Sequence, residues 1–223
     1  MRGFGKYTAF LLTALLAAGG MLVPETHAQN ARVTYSITRH MGGHELAMTG
    51  AQPPRIPFGD YSQYDLDLRF SGEEVLDFGQ VRPGDEPVFI NFNDPRAVVL
   101  EVEGVEFLDV TVSIIPPAGN RLIRDGDSET GIPVNIRLAY SNRGATTPVE
   151  AAGQAVEVPG ESITFPMRRR IGGPPGPPPT PPHAGYTPPK TKAYLIIYGT
   201  LLLGGETLKA GSYLGDIHID ISY

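Results

Sequence analysis

The sequence predicts an all-β fold, an antiparallel β-sandwich or barrel. Short runs rich in β-branched and aromatic residues alternate apolar with polar positions. Glycine (27) and proline (22) punctuate those runs at turn spacing. No stretch carries a convincing helical pattern: "VEAAGQAV" at 149–156 is too short and has Gly153 at its centre.

The first strand is "NARVTYSITRHM", 30–41. Ala31, Val33, Tyr35 and Ile37 fall on one side, Arg32, Thr34, Ser36, Thr38 and His40 on the other, and Gly42–Gly43 stops the run. Residues 42–59 read as a Gly- and Pro-rich linker. "YDLDLRF" (64–70) alternates strictly, and "EVLDFGQV" (74–81), "EPVFINF" (86–92), "AVVLEVE" (97–103) and "EFLDVTVSII" (106–115) follow. The series continues with "IPVNIRLAYS" (132–141), "QAVEV" (154–158) and "ESITFPM" (161–167). It ends on "AYLIIYGTLLL" (193–203) and "GSYLGDIHIDISY" (211–223). Residues 172–190 are proline-rich and cannot join a sheet; they read as a surface loop between two strands, with a docking ligand as the sharper alternative.

The chain opens with Arg2 and Lys6, an apolar run from about Thr8 to Val23, and Thr26-His27-Ala28, the marks of a secretory signal peptide over 1–28. The apolar run is shorter than the ~20 residues a spanning helix needs. Export is therefore expected, to the periplasm, cell surface or extracellular space, with no transmembrane segment after cleavage. Losing Arg2, Lys6 and Glu25 takes the net charge from −6 to −7, which argues against nucleic acid as a partner. Arg168-Arg169-Arg170 reads as a solvated strand end. The absence of cysteine excludes disulfides, thiolate metal sites and thiol nucleophiles.

Chemistry-bearing text is sparse. Neither G-x-S-x-G nor H-E-x-x-H occurs, and nothing gives positive support for an enzyme or a cofactor. His40 and His44 would share a helix face, but Gly42–Gly43 lie between them. Asp216, His218 and Asp220 line the polar side of the last strand and read as a solvated face. Asp125, Asp127 and Glu129 in "RDGDSETG" are a candidate calcium set, lacking the full loop pattern; a polar turn explains them equally well.

Three passages carry a resemblance: "VLDFGQVRPGDE" (75–86) with its L-D-F-G core, "VEGVEFLDVTVSIIPP" (102–117), and "LKAGSYLGDIHIDISY" (208–223). Their order, over residues 60–223, resembles bacterial secreted β-sandwich domains related to spore coat protein U and chaperone–usher pilin-like domains. The resemblance implies an immunoglobulin-like sandwich that is incomplete and is completed by a donor strand, with Leu76 and Phe78 in the core. It implies Val33, Tyr35 and Ile37 as the donor residues, and Ile217, Ile219, Ile221 and Tyr223 as the acceptor edge strand. The implied role is a structural subunit of a filament, fimbrium or coat, with like subunits and a periplasmic chaperone or usher as partners. Two features depart from the family pattern: the disulfide many relatives carry is missing, and 172–190 is an addition. "YDLDLRF" is a rival donor.

The alternative is a monomeric secreted binding or adhesion module that recognises a glycan or protein through its loops. The two readings part on one observation. A chain that closes both sheets completely, its own first strand hydrogen-bonded beside the isoleucine-lined last one, would have no unfilled slot, and would stand as a free-standing module.

Overall fold

Alternating runs become strands here because each can bury one face and pair its backbone on both sides. The computed structural model describes residues 29–39, 64–106, 108–170, 187–204 and 208–223. The expected signal peptide, the linker after Arg39, His40, His44 and most of the proline-rich stretch lie outside the described residues.

In chain order the strands are β1 (Gln29–Arg39), β2 (Asp67–Phe70), β3 (Leu76–Val81), β4 (Val88–Ile90), β5 (Val98–Val105) and β6 (Asp109–Ile115). They continue with β7 (Arg121–Arg124), β8 (Asp127–Ser141), β9 (Val156–Glu157), β10 (Ser162–Pro166), β11 (Lys190–Leu201) and β12 (Ser212–Ser222). One layer is ordered β3–β1–β12–β6–β10, with β7 on the start of β12. The other is β2–β5–β11–β8–β9, with β4 on the far end of β11. β8 belongs to both: Gly131–Pro133 pairs with β7, and Val134–Ser141 pairs with β11. The layers are therefore one curled open sheet folded over a shared core, a sandwich-like all-β fold. YDLDLRF contributes β2, which pairs with β5.

Two expectations need correction. The pairing is not wholly antiparallel, because β1 runs parallel to β12. A short helix, α1 (Pro148–Gly153), is also present. Thr147 caps it, accepting the Glu150 N–H, while the Glu150 carboxylate accepts the Thr146 N–H at 2.9 Å. Pro148 supplies a pre-set first turn, so the signal lay in "TTPVE", just ahead of the stretch rejected as too short. Ala151 packs with Ala145 on Tyr194, covering the outer face of β11. Residues 193–199 are all buried, which is why "AYLIIYG" reads as a continuous apolar run rather than an alternating one.

Candidate strand-acceptor site

The site is the strip of sheet between β3 and β12, and the chain's own β1 occupies it. The parallel register with β12 runs from Asn30 against Ser212 to Arg39 against Ile221. On its other side β1 is antiparallel to β3, from Gln29 against Val81 to Val33 against Leu76. β12 is thus an interior strand, flanked by β1 on one side and by β7 and β6 on the other. The expected open acceptor edge is not exposed, because β1 covers it.

Inward-facing side chains do what the alternation implies. Ala31 and Val33 are completely buried, and Tyr35 and Ile37 are half-buried against the same core. Ile217, Ile219 and Ile221 meet them from β12, and Leu76, Phe78 and Val81 from β3, all buried. Full burial of a Val or Ile side chain stabilises by roughly 1.5–3 kcal/mol. The Tyr35 ring packs 6.0 Å from that of Phe70. Burial pushes the Tyr35 phenol above its ordinary range, with the Leu76 backbone pulling partly the other way.

Tyr223 lies just beyond β12 rather than along the slot. Its hydroxyl accepts the Val105 N–H at 2.8 Å and donates to the Asp65 carbonyl at 3.3 Å. It thereby closes the end of the sandwich at which β1 and β12 both finish.

The L-D-F-G element shapes the opposite wall. Ala31 faces Gly79 and Arg32 faces Asp77, so Phe78 is the extra residue of a β-bulge. Gly79 has φ of 79°, a conformation that suits glycine, and its N–H donates to Asp77 Oδ1 at 2.8 Å. The other oxygen of Asp77 accepts from Arg32 Nε at 3.1 Å. One carboxylate holds the bulge and grips β1. An aspartate two residues before a strand glycine is the local signal from which the turn could have been read.

The outward faces of β1 and β12 form a polar row. Thr34 donates to Asp216, Ser36 Oγ lies 2.7 Å from His218 Nδ1, and His218 Nε2 lies 3.1 Å from Asp220 Oδ1. The Asp216–His218–Asp220 alternation was legible; Ser36 and Thr34 were not, since they lie 182 residues from their partners. A serine, a histidine and an aspartate in series resemble a hydrolytic relay. Here they lie on the outward face of the sheet, with Ser36 exposed and His218 half-buried. Two of these contacts, Thr34 with Asp216 and Ser36 with His218, tie β1 to β12 in the observed register.

The candidate calcium residues are not brought together. Asp127 accepts from Lys209 Nζ at 2.9 Å and Thr130 Oγ1 at 2.8 Å, contacts that hold its carboxyl far below the usual range. Asp125, in the β7–β8 turn, and Glu129, at the start of β8, are exposed beside it. Among the described residues no group of three His, Cys, Asp or Glu side chains could hold a metal. Nor, among them, is any helix long and apolar enough to cross a membrane. Arg168 and Arg170, exposed as expected, pair with Glu106 and Asp109.

The chain matches no protein-family model, and no curated protein matches its sequence.

Proposed function

We propose that the protein is an exported, free-standing module of the cell surface or extracellular space, an immunoglobulin-like sandwich that fills its own donor-strand slot. The seating of β1 carries this reading. A chain that pairs its own β1 along β12 from Ser212 to Ile221 presents no vacant slot beside those residues, which supports the reading of a free-standing module. The 24 residues from 40 to 63 hold that strand near its slot at an effective concentration on the order of millimolar. Loops at the ends of the sheet would then supply the recognition face for a glycan or protein partner.

A second reading, the pilin-like structural subunit assembling by strand exchange, is favoured by a different observation. β1 is a strand at the start of the described chain, set in the middle of a sheet and joined to the rest through a long connection. Removing it would bare both Leu76 on β3 and the isoleucines of β12. Such a strand is the element of this fold best suited to passing between chains. Like subunits, with a periplasmic chaperone or usher to occupy the slot beforehand, would be its partners.

Size-exclusion chromatography with light scattering on the exported chain separates the two. The free-standing module runs as a monomer at micromolar concentration, and deleting 29–39 destabilises it. The subunit oligomerises while intact, and the deleted form stays folded only when a peptide of sequence 29–39 is supplied. Oligomers from the intact chain would overturn the first reading.

A further inference from the structure

Resting on the strand exchange of the second reading but not on its filament, we infer that two copies of this chain that exchange β1 close into a two-fold dimer and do not extend into a filament. The reason is the direction in which β1 lies. Because it is parallel to β12, it leaves the sheet where β12 ends, with Arg39 opposite Ile221. The rest of the described chain begins at that same end. Tyr64 clusters with Val105 and Leu108 against Tyr223, whose hydroxyl reaches the Asp65 carbonyl at 3.3 Å. Arg39 lies level with Ile221, two strand positions before Tyr223, or about 7 Å along the sheet. The connection of residues 40–63 therefore starts and finishes at one pole.

Consider a copy that donates its strand to a neighbour. The strand emerges at the neighbour's Tyr223 pole, while the donor's own domain starts at the donor's Tyr223 pole. The two like poles face each other. That arrangement is its own inverse: the neighbour's β1 stands at the same distance and orientation from the slot the donor has vacated. The contact is isologous, and such a contact closes after two copies. Closing on the first neighbour fills both slots with the fewest copies, whereas an open chain leaves one slot and one strand unpaired at its ends.

The slot also selects its own strand. Arg32 meets Asp77 across β3, and Thr34 and Ser36 meet Asp216 and His218 across β12. Ala31 and Val33 fill the inner face completely. A strand shifted by one residue would turn these sets to the wrong faces. A second copy of residues 29–39 satisfies every one of these contacts.

The chain has no cysteine, so a single cross-strand disulfide can report the topology. In the variant Ser36→Cys/His218→Cys, the two positions are register partners on β1 and β12. The exported protein is unfolded in denaturant, refolded at concentrations from micromolar to millimolar, oxidised, and run on non-reducing denaturing gels. The expected result is a monomer at low concentration, replaced at high concentration by one discrete, covalently closed dimer. A ladder of trimers and longer species would overturn the closed-dimer inference while leaving strand exchange standing. Monomer alone at every concentration would overturn both. Wild-type protein refolded in parallel and sized by light scattering gives the same three-way answer should the cysteines impair folding.

Discussion

The Tyr223 hydroxyl accepts the backbone N–H of Val105 across 118 residues of sequence. Gly104 makes the approach possible. A Cβ placed there would collide with the Tyr223 hydroxyl and with Leu66. This contact joins β5, in one layer, to the end of β12 in the other, at the pole where β1 leaves the sheet.

Gly104→Ala should therefore destabilise the fold by about 1–3 kcal/mol, the usual cost of forcing an extra carbon into a packed site. Tyr223→Phe should cost about 1 kcal/mol through the lost hydrogen bond. The double variant should lose less than the sum, because alanine at 104 already displaces the tyrosine. Urea unfolding midpoints check all three. Strict additivity would mean that the two residues do not act on one another.

The bulge in β3 gives a second expectation. Asp77→Ala removes the acceptor of both the Gly79 N–H and the Arg32 guanidinium, and should cost about 1–2 kcal/mol. Asp77→Asn keeps one neutral acceptor and should recover part of that loss. Gly79→Ala must place a side chain at φ of 79° and should cost about 1 kcal/mol or more. Hydrogen exchange is the sharper measurement. Asp77→Ala should raise exchange in the first half of β1 more than in β5.

Most of the fold could be read in the chain because alternation and turn residues are local signals. Spacing alone assigns Val33, Tyr35 and Ile37 to one face of the first strand, and Asp216, His218 and Asp220 to the polar side of the last; the acceptor role of Ile217, Ile219 and Ile221 is what the resemblance implies. What spacing cannot carry is which strand lies beside which, and in which direction. A strand's inward face looks the same read either way along the chain, so the parallel seating of β1 on β12 left no local trace. The partnerships of Ser36 with His218 and Asp77 with Arg32 follow from that seating and were equally hidden. α1 was missed for a different reason: its start is written in Thr147, Pro148 and Glu150, and not in the apolar pattern after them.

Stability should fall at both ends of the pH scale. Burial raises the Tyr35 and Tyr223 phenols above their ordinary values. Folded phenols then keep their protons where an unfolded chain, titrating near pH 10, gives them up. Stability is full below that value and is lost as the pH rises through the raised folded values. At the acid end the signs reverse. Asp94 is held low by Arg96, Asp127 by Lys209, and Glu150 by the Thr146 N–H. Their contribution is present above about pH 4 and disappears as the pH drops through the lowered folded values. Thermal melts from pH 2 to pH 12 should show a plateau between two falling limbs. Tyr35→Phe should shift the alkaline limb to higher pH. At neutral pH the same change should cost little, since the Tyr35 hydroxyl forms no hydrogen bond of normal geometry in its buried position beside the Leu76 backbone.

Val33 tests how far the core depends on β1. It is completely buried, lies opposite Leu76 on β3, and belongs to the same core as Ile217 and Ile219. A carboxylate placed there has no buried cation among the described residues to pair with, a change that costs several kcal/mol. The charge cannot stay in the slot, so Val33→Asp should expel β1 rather than rearrange the sandwich around it. Those amides of β12 that bond toward β1 should then lose their protection against exchange. Those of β11, walled in by β5 and β8, should keep theirs. Thr34→Ala, one position away and facing outward, should leave the protection of both strands nearly unchanged. If Val33→Asp protein kept full protection along β12, the slot would not depend on this strand for its closure.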